Sequence, residues 1–330
     1  MRRGLLPAAL GAVAAVGAVA AGAVVRRYRR DLAAAETRLA AIGSRTVPTT
    51  FGDVEYLERG EGEPVLVVHG ILHGCDGGLL SVRDTVADRR VIAPSRFGYL
   101  RSALPTAATP DDQAAAFVEL LDHLGLGAVD VVAISAGTTP GVELALGHPE
   151  RVRSLTVVSG SWPGSPTARR PPDWARAMYA DPPMWALRAV APAALARLMG
   201  VPPGFPRDEA EAAYVDEMVA TIFPVRPRAA GALFDAYVSD PAVEASTLEA
   251  LAVPVLVVHM VDDPLASFDA AAQAASRIPG ARFVAVPSGG HLAVGQTGRV
   301  RDEVTAFLDA LPEPGRGSAH GTSRHGPAPA

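Results

Sequence analysis

A chain of 330 residues, 49% hydrophobic and 20% charged, has length for one large domain or two small ones and apolar material for a sizeable core, which excludes wholesale disorder. Net charge is −5, unevenly spread: residues 1–45 hold eight Arg against Asp31 and Glu36, and the remainder holds 22 Arg against 33 acids. An acidic body of that kind excludes an electrostatic footprint for nucleic acid. Cys75 is the single cysteine, so an intrachain disulfide and a Cys-based metal site are excluded, and it reads as a packing residue.

In chain order, Gly4 to Val25 comes first, with 22 consecutive uncharged residues, mostly Ala, Val, Leu and Gly. As a helix it would run roughly 33 Å, against a hydrocarbon core of about 30 Å. Arg2 and Arg3 precede it; Arg26, Arg27, Arg29 and Arg30 follow. Residues 1–30 are therefore expected to be an uncleaved membrane anchor, and the heavier C-terminal positive flank puts the rest of the chain on the cytoplasmic side. The alternatives are export, from the A-x-A pattern Ala21-Gly22-Ala23 and the Arg2-Arg3 start, or a buried Ala-rich helix. Residues 31–46 read as a charged linker helix. At the far end, residues 312–330 are rich in Pro, Gly, Ser and His and read as a disordered tail, with His320 and His325 solvated.

From Val47 onward the pattern alternates. Val54 to Glu58 predicts an early antiparallel strand. Continuous apolar runs at Val65–Val68, Val91–Ala93, Val129–Ala133, Leu155–Val158, Val255–Val258 and Phe283–Val286 predict strands buried on both faces of a mostly parallel sheet. Helical stretches fall near 111–124, 138–147, 268–278 and 299–311, and Thr109-Pro110-Asp111-Asp112 supplies an N-cap, a Pro at the first helical position and first-turn acids. The fold class is α/β, a mostly parallel sheet flanked by helices. Residues 161–245 break the rhythm and predict an inserted, mainly helical cap, which divides the core into 47–160 and 246–311.

Val129–Ala133 runs into Ile134-Ser135-Ala136-Gly137 and then a helix. A Ser on a sharp strand-to-helix turn is a candidate nucleophile: the turn exposes the hydroxyl, small neighbours let the two backbones pass closely, and the helix N-terminus favours developing negative charge. A plain helix cap is the competing reading. Four further segments stand out. They are His69-Gly70-Ile71-Leu72-His73-Gly74 after a strand, Arg90-Val91-Ile92-Ala93-Pro94-Ser95-Arg96-Phe97-Gly98-Tyr99-Leu100-Arg101-Ser102, the late-strand loop Asp262-Asp263-Pro264, and Gly289-Gly290-His291 after the last apolar run. Gly147-His148-Pro149-Glu150-Arg151 follows the candidate nucleophile helix.

Together these segments resemble the α/β-hydrolase superfamily, in its serine-nucleophile, esterase- and lipase-like branch with a helical cap. Ala133 stands where G-x-S-x-G has its first Gly, and Ser95 and Leu100 depart from the family's R-V-I-A-P-D-x-x-G-x-G-x-S segment. The resemblance implies Ser135 as nucleophile, His291 as base and Asp263 as acid, with Asp262 the close alternative. It implies backbone N–H groups of Ile71 and Ala136 as oxyanion hole, and no cofactor or metal. His69 reads as a loop-shaping residue, and His73 likewise as structural.

The implied reaction is acyl transfer to water on a carboxylic ester, with lactones and thioesters as related substrates. Fold alone leaves acyltransferase, C–C hydrolase, cofactor-free peroxidase and a ligand-binding module with vestigial activity as alternatives. All three Trp, and Met178, Met184, Met199 and Met218, lie in the cap stretch, which points to a small, largely apolar partner molecule. Met184, Leu187, Ala191, Leu195 and Leu198 are expected on one helical face. The sequence leaves oligomeric state open.

Overall fold

Short β-branched runs cannot bury both faces alone, and here they assemble side by side. In the computed structural model, which describes residues 5–311 (5–18 by backbone only), the strands are β1 (Arg45–Thr49), β2 (Gly52–Arg59), β3 (Pro64–Val68), β4 (Arg90–Pro94), β5 (Val129–Ile134), β6 (Val152–Val158), β7 (Val255–Met260) and β8 (Arg282–Val286). They form one eight-stranded sheet in the order β1-β2-β4-β3-β5-β6-β7-β8. β1 and β2 form an antiparallel hairpin, β2 pairs antiparallel with β4, and every later pairing is parallel. The expected strands are all present; β1 is an addition, its Arg, Thr and Pro masking a strand that only Val47 buries.

The helices are α1 (Leu5–Ala40), α2 (Cys75–Ser81), α3 (Pro110–His123), α4 (Thr138–Gly147), α5 (Asp181–Val190), α6 (Pro192–Leu198), α7 (Glu209–Thr221), α8 (Ala229–Phe234), α9 (Asp240–Ala242), α10 (Phe268–Arg277) and α11 (Thr297–Asp309). Thr109 caps α3 as expected, accepting from the Asp112 N–H while the Asp112 carboxylate reaches back to the Thr109 N–H. Side chains of α3, α4 and α10 join one apolar cluster with the sheet, among them Phe117, Leu120 and Leu144. Val300, Val304 and Phe307 of α11 join a second.

Between β6 and β7 the chain is helical, with no strand. Its apolar stripe is split: Pro192, which lacks an N–H, begins α6, and so Met184 and Leu187 belong to a different helix from Leu195 and Leu198. Two Arg–carboxylate forks tie this region to the sheet. Buried Arg96, after β4, pairs with Asp235 through both guanidinium nitrogens, and buried Arg228 pairs with Asp76 of α2 at 2.9 and 2.7 Å.

The membrane expectation requires correction. Among the described residues no helix is long and apolar enough to cross a membrane. The physical reason lies in composition: nine of the residues from Gly4 to Val25 are Ala and four are Gly, side chains that add little transfer energy. The inside–outside assignment built on that anchor falls with it. Of residues 31–46, expected as a linker helix, those up to Ala40 are helical as the end of α1, which runs unbroken from Leu5 and docks its C-terminal part on the cap. Tyr28 stacks edge-on against Trp185 at 5.3 Å, Asp31 accepts from the Trp185 indole N–H at 3.1 Å, and Ala35 is buried in the cap cluster. The Arg38 guanidinium donates to the carbonyls of Ala220 and Phe223 at the end of α7, where helical carbonyls lack partners. The predicted tail at 312–330 lies outside the described residues.

Arg38→Ala should therefore destabilise the protein by about 1 kcal/mol, a modest value because the side chain is largely exposed. Urea unfolding of full-length wild type and variant measures it; identical midpoints would mean that the Arg38 contacts add nothing to stability.

Candidate functional site

Ser135 ends β5 and opens the turn into α4 with φ of +52°, a left-handed conformation costly for a residue with a Cβ. The strain is held by close neighbours. A Cβ on Gly137 would lie 2.2 Å from the Val68 carbonyl oxygen, and one on Gly70 would lie 3.2 Å from the Ser135 Cβ. The missing first Gly of the motif is compensated across the strand–helix contact: Ala133 faces Gly141 of α4, where an added Cβ would come within 2.8 Å of the Ala133 Cβ. The methyl absent from the helix makes room for the methyl present on the strand.

The expected residues converge here. The Ser135 hydroxyl lies 2.8 Å from His291 Nε2, and His291 Nδ1 lies 2.8 Å from Asp263 Oδ2. Asp263 follows β7; its Oδ1 accepts from the N–H groups of Leu265 at 2.8 Å and Ala266 at 3.0 Å. Burial opposes the ionisation of Asp263, but the His291 charge, its hydrogen bond and these N–H donors outweigh it and hold the carboxyl below its ordinary value. Asp262 acts elsewhere. It accepts from the N–H groups of Gly289 at 3.3 Å and Gly290 at 2.9 Å, bracing the loop that carries His291. The same loop is tied to the cap, where Gly200 accepts from the His291 N–H at 2.9 Å, and to the end of β6, where the next residue, Ser159, donates to the His291 carbonyl at 2.8 Å.

Ile71 and Ala136 both line the cavity above Ser135. Ala136 follows Ser135 in the first turn, where backbone N–H groups point out of the helix start. His69 shapes the loop: Nδ1 donates to the Gly70 carbonyl at 2.7 Å and Nε2 accepts from the Arg96 N–H at 3.0 Å. Burial, aided by Arg96, keeps it neutral. His73 contacts Thr221 Oγ1 at 3.0 Å, and burial with the Arg228 charge lowers it to about 4. Burial pushes the Cys75 thiol up to about 12, so it packs rather than reacts.

The cavity holds about 420 Å³, and its walls include Met178, Met184, Met199, Met218 and Trp174. Among the described residues no group of three His, Cys, Asp or Glu is disposed to hold a metal. His259 lies four residues before Asp263 in the segment that leads to the acid loop. From inside β7, its Nε2 faces the Ala266 carbonyl at 3.2 Å and Asp263 Oδ2 at 3.5 Å, and burial keeps its pKa low despite Asp263.

Comparison with known proteins points the same way. A family model described as the alpha/beta hydrolase fold matches residues 63–296. The chain is similar to the hydrolase YcgS of Bacillus subtilis (strain 168), 36% identical over 114 residues that cover 34% of this chain and 40% of that protein. It is also similar to the 2-hydroxymuconate semialdehyde hydrolase of Pseudomonas putida, 36% identical over 107 residues, or 31% of this chain and 37% of that one. The chain thus aligns with less than half the length of either relative. Among solved structures, an alpha/beta hydrolase fold protein from Nakamurella multipartita superposes with a TM-score of 0.65 at 27% identity, over 81% of this chain and 99% of that one.

The Ala133–Gly141 contact yields a test. Gly141→Ala should cost about 1–3 kcal/mol through overpacking, although Ala is the better helix former. Adding Ala133→Gly should restore most of it. Additive losses in a double-mutant cycle of denaturation midpoints would show that the two positions do not compensate.

Proposed function

The chain belongs to the alpha/beta hydrolase fold family, and from that premise we propose that it cleaves carboxylic esters of largely apolar substrates, lactones and thioesters included, with Ser135 as nucleophile. The observation that carries the reading is the unbroken hydrogen-bonded series Ser135–His291–Asp263 beneath an apolar cavity.

In this mechanism the Ser135 oxygen attacks the ester carbonyl carbon while His291 Nε2 takes its proton. Asp263 holds the Nδ1 tautomer and stabilises the imidazolium. The carbonyl oxygen becomes an oxyanion met by the N–H groups of Ile71 and Ala136. Collapse expels the alcohol, which takes the proton from Nε2, and leaves Ser135 acylated. Water, deprotonated by the same nitrogen, attacks the acyl carbon; the acid departs and Ser135 recovers its proton. A C–C hydrolase is the second reading, favoured by the similarity to the Pseudomonas putida protein. Turnover of 2-hydroxymuconate semialdehyde, with p-nitrophenyl esters left intact, would favour it over the first.

Ser135→Ala should lower ester kcat by at least ~10³-fold and abolish fluorophosphonate labelling, because residues of such a series act as a unit. Asp263→Asn should cost about 10⁴-fold, the size found when the acid of a serine triad is amidated, and Asp262→Asn far less. Unchanged labelling in Ser135→Ala would end the proposal; the opposite ranking of the two Asp variants would move the acid by one residue.

The cavity walls carry a further expectation. Each methylene buried against Met and Trp side chains is worth about 0.8 kcal/mol, roughly fourfold in kcat/KM. p-Nitrophenyl esters should therefore improve from acetate to medium chains and then level off. A steady decline from acetate onward would refute an apolar acyl site.

A further inference from the structure

Polar groups on the cap side of the cavity are satisfied by the protein or reach solvent. Ser161 and Thr167 bond each other through their hydroxyls at 2.8 Å, and Arg169 is exposed. Asp240 does neither. It lines the cavity with 5% of its surface exposed, and its Oδ1 is enclosed with no hydrogen-bond partner among the described residues. Its neighbour Asp235 differs: both of its oxygens are bound by Arg96, and the Tyr99 hydroxyl donates to one of them.

An unpaired buried carboxyl costs the fold free energy, and structures retain few such groups. Nothing in the packing requires an acid here, since an apolar side chain of similar volume would fill the space without that cost. Burial and the Asp235 charge both push Asp240 well above the usual carboxylate range, against a weaker opposing pull from Arg96, whose guanidinium is committed to Asp235. Tyr179, also on the cavity wall, is a further titratable group near it, and burial is the largest cause that pushes its hydroxyl up to about 12. Burial and the Asp235 charge thus favour the protonated, O–H form of Asp240. The terminal Asp torsion turns easily, so that O–H can be presented to the cavity.

We propose that Asp240 is a specificity-determining residue, a polar subsite in the cap that donates to an oxygen acceptor (keto, hydroxyl, ether or second carbonyl) on the substrate's acyl or alcohol portion, away from the scissile bond. The proposal rests on the ester-hydrolase reading above and narrows it to apolar chains bearing one such oxygen.

The test compares p-nitrophenyl hexanoate with its 4-oxo and 5-oxo analogues on full-length wild type, Asp240→Asn and Asp240→Leu. Wild type should favour at least one oxo ester about tenfold in kcat/KM, mainly through KM. Asp240→Asn, whose amide still donates, should keep part of that preference, and Asp240→Leu should reverse it in favour of hexanoate. Equal ratios in wild type and Asp240→Leu would overturn the proposal, as would a wild type that disfavours both oxo esters. Thermal melting separates loss of the subsite from misfolding, because Asp240→Leu should melt no lower than wild type. If no ester is turned over, the hydrolase reading fails on its own. Calorimetric binding of hexanamide against 5-oxohexanamide, which needs no turnover, then still tests the subsite: a preference for the oxo amide that Asp240→Leu abolishes supports it, and equal binding to both overturns it.

Discussion

The structure turns on the left-handed backbone of Ser135. A residue with a Cβ at φ +52° would relax if it could, and relaxation would swing the hydroxyl away from His291. What prevents it is volume. The Val68 carbonyl presses on Gly137, and Gly70 brings the neighbouring loop against Ser135 itself. The central sheet and α4 therefore act as a clamp, and the identity of the small residues around the elbow follows from the clearances they leave. Ala133 illustrates the rule, because the requirement falls on the strand–helix gap as a whole. With Gly141 opposite, one methyl can be accommodated.

A clamp of that kind positions the Ser135 hydroxyl but does not enclose it. Enclosure comes from the cap, and the cap is fastened by forked ion pairs between residues 139 and 152 positions apart in sequence. Burying such pairs brings little net stability, while removing one partner costs about 3–5 kcal/mol, so they specify one seating of the cap over others. Gly200 adds a direct link from the cap to the backbone of His291. The roof of the cavity and His291 beneath it are thus mechanically one unit, and α1 buttresses that unit from outside through Tyr28, Asp31 and Arg38.

Much of this was legible in the chain because it is local. Strands buried on both faces announce themselves as β-branched runs, Thr109-Pro110 announces a helix start, and Ser135, Asp263 and His291 each follow an apolar run at a strand end. What stayed hidden depends on partners distant in sequence. The Gly4–Val25 run has the length of a membrane span but mostly Ala and Gly to fill it, and length misled where side-chain size decides. The docking of α1 needs Trp185, over 150 residues away. The distinct roles of Asp262 and Asp263 differ only in which loop atoms each carboxylate meets, and adjacent identical residues carry no such information. The expected stripe across α5 and α6 ignored Pro192, a local signal that was present and outweighed by periodicity.

Apolar walls and polar chemistry make opposing demands on the same cavity. Excluding water strengthens the Asp263–His291 interaction and any N–H contact to a developing oxyanion, since each then acts in a medium of low dielectric constant. The same exclusion raises the cost of every polar group left without a partner. Asp235 meets that cost by its fork with Arg96, while His259 meets it only in part, its Nε2 facing Ala266 and Asp263 and its Nδ1 without a partner among the described residues. On the proposed reading, Ser135 at the floor of an apolar cavity and the unsatisfied Asp240 carboxyl in its roof are two fixed points for a substrate. The distance between them, more than the volume around them, sets which molecules are oriented for attack.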